Sequence, residues 1–156
     1  MGNLINFCAG VSIEILPAKQ VDAILLNVPR NAANEKQIQH SIKFIKESGA
    51  SITALDSGGF QLLQAEDNGI YPTFDESKPV IFDGKTANLT PWHVVEAATL
   101  LKPTIMMALD YPIQKGIEDP SEMDWEFYRK LGFNAWSARE TSRLWQQYCP
   151  DVKLFI

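Results

Sequence analysis

The 156-residue sequence has few of the residue types that build metal centres and disulfide frameworks. Its two cysteines, Cys8 and Cys149, lie near opposite ends of the chain and form no C-x-x-C pair, and there are only two histidines. This spacing fits neither a zinc site nor a disulfide framework. We therefore predict no metal ion or other cofactor in this chain. The thiols are expected to be buried and inert in a reducing compartment, with one disulfide between them as the alternative.

Long apolar runs and an excess of positive charge are also lacking. No segment reaches the roughly 18–20 apolar residues that cross a membrane, and residues 1–10 lack the basic start and long apolar core of a secretory signal. Lys and Arg number 14 against 19 Asp and Glu, a net charge of −5. Since affinity for phosphates comes mainly from basic side chains, the chain alone is a poor nucleic-acid binder. We predict a cytoplasmic protein with no membrane partner.

What the sequence does contain is a repeating order of apolar runs and helical segments. With 46% apolar and 21% charged residues, residues 1–156 suit a single domain with a real core. The apolar runs occupy residues 21–29, 51–56, 104–110 and 152–156. The segments of helical period occupy residues 34–49, 90–102 and 121–149. Because these runs lack a polar alternate face, they are typical of parallel strands covered by helices, which predicts an α/β fold with about four such strands.

Local signals predict where the helices begin and end. Gly49 predicts the end of the first helix, and Thr90 followed by Pro91 predicts the start of the second. In the third, Gly132 marks a point of interruption and Pro150 an end.

The α/β order breaks between residues 64 and 89. There, Asp83-Gly84 lies between "VIF" and "KTANL", and this dipeptide is typical of a tight turn between two strands. We predict an antiparallel hairpin inserted between a strand and its following helix.

Two aspartates end apolar runs in the same way, Asp56 in "ITALD" and Asp110 in "MMALD". In parallel α/β folds the carboxyl ends of the strands meet at one edge, where ligands bind. A carboxylate there can act as a base, as a nucleophile, or as an acceptor for paired N–H donors of a ligand. The alternative is that each Asp only caps the turn after its strand.

The residues after Asp56 read "SGGFQ" and suggest a site for a flat ligand. Gly58 and Gly59 permit close approach, Phe60 offers a face for stacking, and Gln61 offers a donor and an acceptor. Phe60 fits an ordinary core position equally well. Ser57 is a poor nucleophile candidate, because the segment is not G-x-S-x-G, and the chain has no phosphate-binding glycine motif. The two histidines fall on predicted helices, where we expect surface or packing roles.

The motifs "DSGGFQ", the hairpin with "DG", "LTP" and "IMMALD" follow in order between about residues 50 and 113. Together they resemble the tRNA-guanine transglycosylase (queuine tRNA-ribosyltransferase) family. The first 50 residues match that family less well, and "VDAILLNVPR" is not its typical second strand. The resemblance implies a TIM-type (β/α)8 barrel and a pentosyltransferase that replaces guanine in a nucleic acid by a 7-deazaguanine, through a covalent enzyme–ribose intermediate.

The same resemblance implies a role for each matching residue. Asp56 becomes the catalytic carboxylate, and Asp110 accepts N–H donors from the Watson–Crick edge of the base. The other residues of the implied substrate-binding set are Ser57, Gly58, Gly59, Phe60 and Gln61, with Phe60 stacking on the base.

The resemblance covers only part of such an enzyme. A (β/α)8 barrel takes about 250 residues, and the family's nucleophilic aspartate and C-x-C-x-x-C…His zinc site have no counterpart here. We therefore expect the N-terminal portion of the catalytic barrel, inactive alone, prone to form a homodimer, and meeting tRNA or DNA only within the full-length protein. Two alternatives are a relative that modifies DNA and a non-catalytic module that binds a purine or a partner subunit.

Overall fold

The computed structural model describes residues 7–9, 21–67, 69, 80–82, 85–87, 89–113 and 124–156. Its strands are β1 (Phe7–Ala9), β2 (Ala23–Asn27), β3 (Ile52–Asp56), β4 (Val80–Phe82), β5 (Lys85–Ala87), β6 (Ile105–Met107) and β7 (Lys153–Phe155). Its helices are α1 (Val28–Asn31), α2 (Glu35–Ser48), α3 (Gly59–Asp67), α4 (Pro91–Leu101) and α5 (Trp125–Tyr148).

Five of the strands form one parallel sheet in the order β1-β2-β3-β6-β7. Parallel neighbours need a crossover connection, and helices lie between β2 and β3, between β3 and β6, and between β6 and β7. The predicted α/β class with parallel strands is therefore confirmed. β1 adds a strand that the sequence reading missed, because three residues are too few to show a pattern.

The predicted hairpin is present as the antiparallel pair β4 and β5. Phe82 pairs with Lys85, so two residues separate the strands. The Asp83-Gly84 turn itself lies outside the described residues. One part of the prediction was wrong: α3 follows β3 directly, so residues 64–67 are helical where an irregular passage was expected. This short helix begins at a glycine and carries no capping signal in the sequence, which is why its period was missed.

Capping groups fix the helix ends largely as predicted. α2 ends at Gly49, which adopts a left-handed φ of 64°. α4 begins after Thr90, whose hydroxyl accepts a hydrogen bond from the His93 amide at 3.4 Å. Pro91 is the first residue of this helix. α5 ends at Tyr148, two residues before Pro150.

Gly132 does not interrupt α5, which is continuous over 24 residues. Glycine costs a helix about 1 kcal/mol relative to alanine, and Phe133 is buried immediately beside it. Packing of this kind outweighs so small a penalty. Within the described part of the chain, no helix combines the length and apolar character that a membrane crossing requires.

The core lies between the helices and one face of the sheet. Strand register and alternation place four buried side chains on this face: Ile24, Leu26, Leu55 and Met106. Helices contribute Phe44, Leu62, Val94, Val95, Phe133 and Leu144 to the same cluster. Burial of such side chains contributes about 1.5–3 kcal/mol each, so this layer is a large source of stability.

The opposite face of the sheet carries polar residues at the carboxyl ends of two strands. Leu25, Ala54 and Ile105 alternate with the core residues along their strands, and none of them belongs to the helix-packed cluster. Asn27 and Asp56, at the carboxyl ends of β2 and β3, share this face by the same alternation. The sheet thus separates a stabilising face from a face that presents polar groups at one edge.

Candidate functional site

The site begins with a pair of side chains at two adjacent strand ends. Asn27 and Asp56 are partners in the register of β2 and β3. The Asn27 amide donates from Nδ2 to Asp56 Oδ2 at 2.7 Å and to Gln61 Oε1 at 3.1 Å. One amide group therefore ties together the end of β2, the end of β3 and the first turn of α3.

Asp110 joins this pair from the segment after β6. Ser57, adjacent to Asp56, is fully buried and donates from Oγ to Asp110 Oδ1 at 3.2 Å. The structure thus brings both predicted carboxylates to the carboxyl edge of the sheet. Their catalytic and recognition roles stay predictions.

Burial and charge both affect Asp110. The residue reaches solvent, yet its carboxylate packs on Ser57 and Gly59. This partial desolvation is the largest effect and raises the pKa of Asp110, and the negative charge of Asp56 raises it further, while the Ser57 hydrogen bond opposes the shift. A second carboxylate nearby and a raised pKa are typical of functional sites.

The two glycines of "DSGGFQ" lie where neighbouring residues of the chain leave no space for a side chain. Gly58 has a φ of 93°, and a β-carbon there would lie 2.6 Å from the ring carbons of Pro29. A β-carbon on Gly59 would collide with the carboxylate of Asp110 and lie 2.6 Å from its carbonyl oxygen. Any larger residue would push the β2 end or Asp110 away. Close approach of a ligand to these glycines stays a prediction.

Phe60 and Gln61, in the first turn of α3, differ sharply in exposure. Phe60 is 59% exposed, so the core position that was its alternative reading does not apply. Gln61 is buried and accepts from Asn27 through Oε1, which leaves Nε2 as the end of its amide that can donate. An exposed ring in the same turn as an oriented amide, at the edge that holds two carboxylates, can bind a flat, polar ring.

Asn27 is a residue of the candidate site that the sequence did not single out. It ends the run "VDAILLN" just as Asp56 and Asp110 end theirs, so a search for any polar residue at a strand end finds it. Its Oδ1 atom is buried and has no hydrogen-bond partner among the described residues. Leaving such an acceptor unpaired is costly, and the bonds of Asn27 to Asp56 and Gln61 are what tie the end of β2 to the candidate site.

The residue types that bind metal ions in proteins form no cluster in the described part of the chain. Across the described ranges, no three His, Cys, Asp or Glu side chains lie close enough to hold an ion. His40 is exposed on α2, while His93 contacts Thr90 at 2.6 Å, and burial lowers the pKa of His93. Cys149 is a free, buried thiol 3.8 Å from Met106 Sδ, as predicted, and burial raises its pKa. The side chain of Cys8 lies outside the described residues.

No model of a known protein family matches the chain, and no curated protein matches it either. The resemblance to a family therefore rests on the motifs in the sequence.

Proposed function

We propose that this chain carries the base-binding pocket of a transglycosylase similar to the tRNA-guanine enzymes, a pentosyltransferase that exchanges guanine for a 7-deazaguanine. One observation carries the proposal. Asp56 and Asp110 lie at the carboxyl edge of a parallel sheet, where Asn27 binds Asp56 and the adjacent Ser57 binds Asp110, and Phe60 is exposed at the start of the helix that follows.

The order of the strands supports a barrel of the TIM type. In the described sheet each strand lies next to the one before it, with only the hairpin left out. A doubly wound sheet reverses its order at a switch point, where its ligand binds. A (β/α)8 barrel adds its strands consecutively. Five consecutive parallel strands therefore fit part of such a barrel, and the face bearing Asn27 and Asp56 becomes its interior.

The chemistry of guanine fits the groups at this edge. Guanine presents two adjacent donors, N1–H and the 2-amino group, and a carboxylate accepts such a pair with both oxygens. Asp110 is the candidate acceptor, since it reaches solvent and is oriented by Ser57. Phe60 stacks on the ring, and Gln61 Nε2 is a candidate donor to an acceptor atom of the base.

Asp56 is the candidate catalytic carboxylate of the exchange. Its Oδ2 atom is held by Asn27, which orients the carboxylate toward the sheet edge where a base would lie. A carboxylate fixed in this way can accept a proton from a bound base or organise the polar groups around it. The attacking carboxylate of the family is assigned to no residue of this chain, so we expect the chain to bind a base without turnover.

The polymer that carries the base is a separate question. The segment around β2 departs from the tRNA enzymes, which favours a DNA-modifying relative as the second candidate. Exchange of labelled guanine into tRNA and into duplex DNA by the full-length protein distinguishes the two. A non-catalytic purine-binding module is the third candidate, and it predicts base binding with no exchange into either polymer.

The base-binding proposal is tested by calorimetry with guanine. Losing a hydrogen bond to a charged group costs about 1.5–3 kcal/mol, so Asp110→Asn should weaken binding by roughly 10- to 100-fold. Asp151→Asn is the matched control, because it removes an exposed carboxylate after α5 and should leave affinity unchanged. Failure of the wild-type chain to bind refutes the pocket. Equal binding by Asp110→Asn refutes the role of Asp110.

A further inference from the structure

Asp110 lies outside regular secondary structure, yet its two neighbours are almost fully buried. β6 ends at Met107, three residues earlier. Leu109 is 1% exposed and Tyr111 is 0% exposed. The backbone around the carboxylate is therefore held by tertiary contacts, and these come largely from α5.

Two side chains of α5 bind the backbone on both sides of Asp110. Asn134 accepts from the Tyr111 amide through Oδ1 at 2.6 Å and donates from Nδ2 to the Tyr111 carbonyl at 3.1 Å. Ser137 is buried and donates from Oγ to the Leu109 carbonyl at 2.6 Å. Residues three apart lie on the same side of a helix, so one helix face holds residues 109–111.

The Tyr111 side chain is fixed by the preceding turn of the same helix. Arg129 donates from Nη2 to the Tyr111 hydroxyl at 3.2 Å. The Lys130 ammonium lies 4.8 Å from the centre of the Tyr111 ring, and Phe133 meets that ring edge-on at 5.8 Å. Tyr111 is thus held by its amide, its carbonyl, its hydroxyl and its ring.

We propose that Asn134 is a positioning residue for Asp110, holding the adjacent peptide groups so that the carboxylate stays against Ser57 and Gly59 in the base pocket. This role rests on the proposed function, since it assumes that Asp110 recognises the base. An amide suits the task, because its oxygen and its NH₂ group can bind the Tyr111 N–H and the Tyr111 carbonyl at the same time.

A small backbone movement would be enough to disturb the carboxylate. Asp110 Oδ1 accepts a hydrogen bond from Ser57 and occupies the space where a side chain on Gly59 would begin. Both contacts require the present path of residues 109–111. Misplacement of a binding group by about 1 Å can cost up to a hundredfold in activity, and the same sensitivity applies to recognition.

The test compares Asn134→Ala with Leu144→Ala by calorimetry with guanine on the whole chain. Leu144 is a core residue of the same helix, about 15 Å further along it. Asn134→Ala should weaken guanine binding at least about tenfold. Leu144→Ala should lower the midpoint of thermal unfolding more than Asn134→Ala does, yet keep the affinity within about twofold. Equal affinities of Asn134→Ala and wild type overturn the proposal.

A second measurement needs no ligand. The ¹³Cγ chemical shift of Asp110, followed against pH, reports the pKa of this carboxyl. In Asn134→Ala the pKa should fall from its raised value toward the ordinary range near 3.8, because the carboxylate leaves its packed position. In Leu144→Ala it should not change. An unchanged pKa in Asn134→Ala overturns the positioning role even where guanine binding fails in every variant, so the two proposals fail separately.

Asn134→Ala is expected to fold, because alanine is the better helix former at this half-buried position. Should it be unfolded at the temperature of measurement, Ser137→Ala takes its place. That variant releases Leu109 on the other side of Asp110 and must give the same loss of affinity and the same fall in pKa. Wild-type values in Ser137→Ala would then refute the holding of Asp110 by α5.

Discussion

Two clusters of charged groups lie close together in this molecule, and they are built on opposite plans. In one, Glu66 binds Lys130 at 2.9 Å and Arg129 at 3.2 Å, so its negative charge is matched by positive charge. In the other, Asp56 and Asp110 receive their hydrogen bonds from neutral side chains. The first cluster has the composition of a structural ion-pair network. The second has the composition that we propose for a base-binding site.

The pKa shifts follow from the two plans. Burial alone would raise the pKa of Glu66, but hydrogen bonds and charges from Tyr111, Lys130 and Arg129 lower it. Burial raises the pKa of Asp110, and Asp56 adds to the rise. The ionised carboxylate of Asp110 therefore costs stability at neutral pH, and that of Glu66 does not. Proteins accept such costs mainly where a function requires them.

The largest expected effect comes from unbalancing the structural cluster. Lys130→Met removes an ammonium that is 4% exposed and leaves Glu66 and Glu126 without it. Breaking a buried ion pair from one side costs about 3–5 kcal/mol. Arg129 still pairs with Glu66, so we expect a loss near the lower end of that range in the free energy of unfolding, measured in urea.

Lys43→Met is the matched control for that experiment. Lys43 pairs with Glu47 at 3.7 Å on the surface of α2, where both side chains are exposed. Exposed pairs of this kind contribute about 0.3–0.5 kcal/mol. A loss as small in Lys130→Met as in Lys43→Met would show that the buried cluster is not structural, and the contrast between the two clusters would fail.

An intermediate effect is expected from Asn27→Ala, which acts on the site. The substitution removes the donor to Asp56 and to Gln61 together. Leaving partly buried acceptors unpaired costs about 1–3 kcal/mol, and water reaching the sheet edge keeps the loss near the lower value. Urea unfolding measures it against Gln39→Ala, an exposed amide on α2 that should lose almost nothing. Equal stabilities would mean that Asn27 does not hold the site together.

The smallest effect has the opposite sign. Asp110→Asn should stabilise the fold at pH 7 by under about 1 kcal/mol, because it removes a desolvated charge that solvent partly screens. The folded state raises the pKa of Asp110, so protonation of this carboxyl stabilises the folded state. That contribution is complete below the ordinary pKa of 3.8 and is lost as the pH rises through the raised pKa. The gain from Asp110→Asn should therefore vanish below about pH 3.8.

Urea unfolding at a series of pH values measures this dependence. Asp151→Asn, which alters an exposed aspartate, should change stability little at any pH. If Asp110→Asn destabilises the protein at pH 7, ionised Asp110 carries no electrostatic cost. The contrast between the two clusters would then fail.

The sequence predicted those features that depend on residues close together in the chain. Apolar runs located β2, β3, β6 and β7, and local signals such as Gly49 and Pro91 set the helix ends. The strand-end rule located Asp56 and Asp110, because the topology of a parallel sheet is general. α3 was missed since it begins at a glycine and exposes an aromatic ring in its first turn, so its apolar period is weak.

The contacts that complete the site could not be predicted in the same way. Asn134 is one of many polar residues on a long helix, and only the docking of α5 places it 2.6 Å from the Tyr111 amide, 23 residues away in sequence. Asn27 meets Gln61 across 34 residues. Such pairs follow from the packing of whole elements, and no local pattern encodes them.

The consecutive order of the strands also has a consequence for how the chain folds during synthesis. During synthesis the ribosome releases β2 before β3 and β3 before β6, so each strand finds its neighbour already present. The groups of the site emerge in the sequence Asn27, Asp56, Asp110 and Asn134. The helix that fixes Asp110 therefore leaves the ribosome after both carboxylates, and a nascent chain that still lacks it holds both carboxylates but only one of them in place.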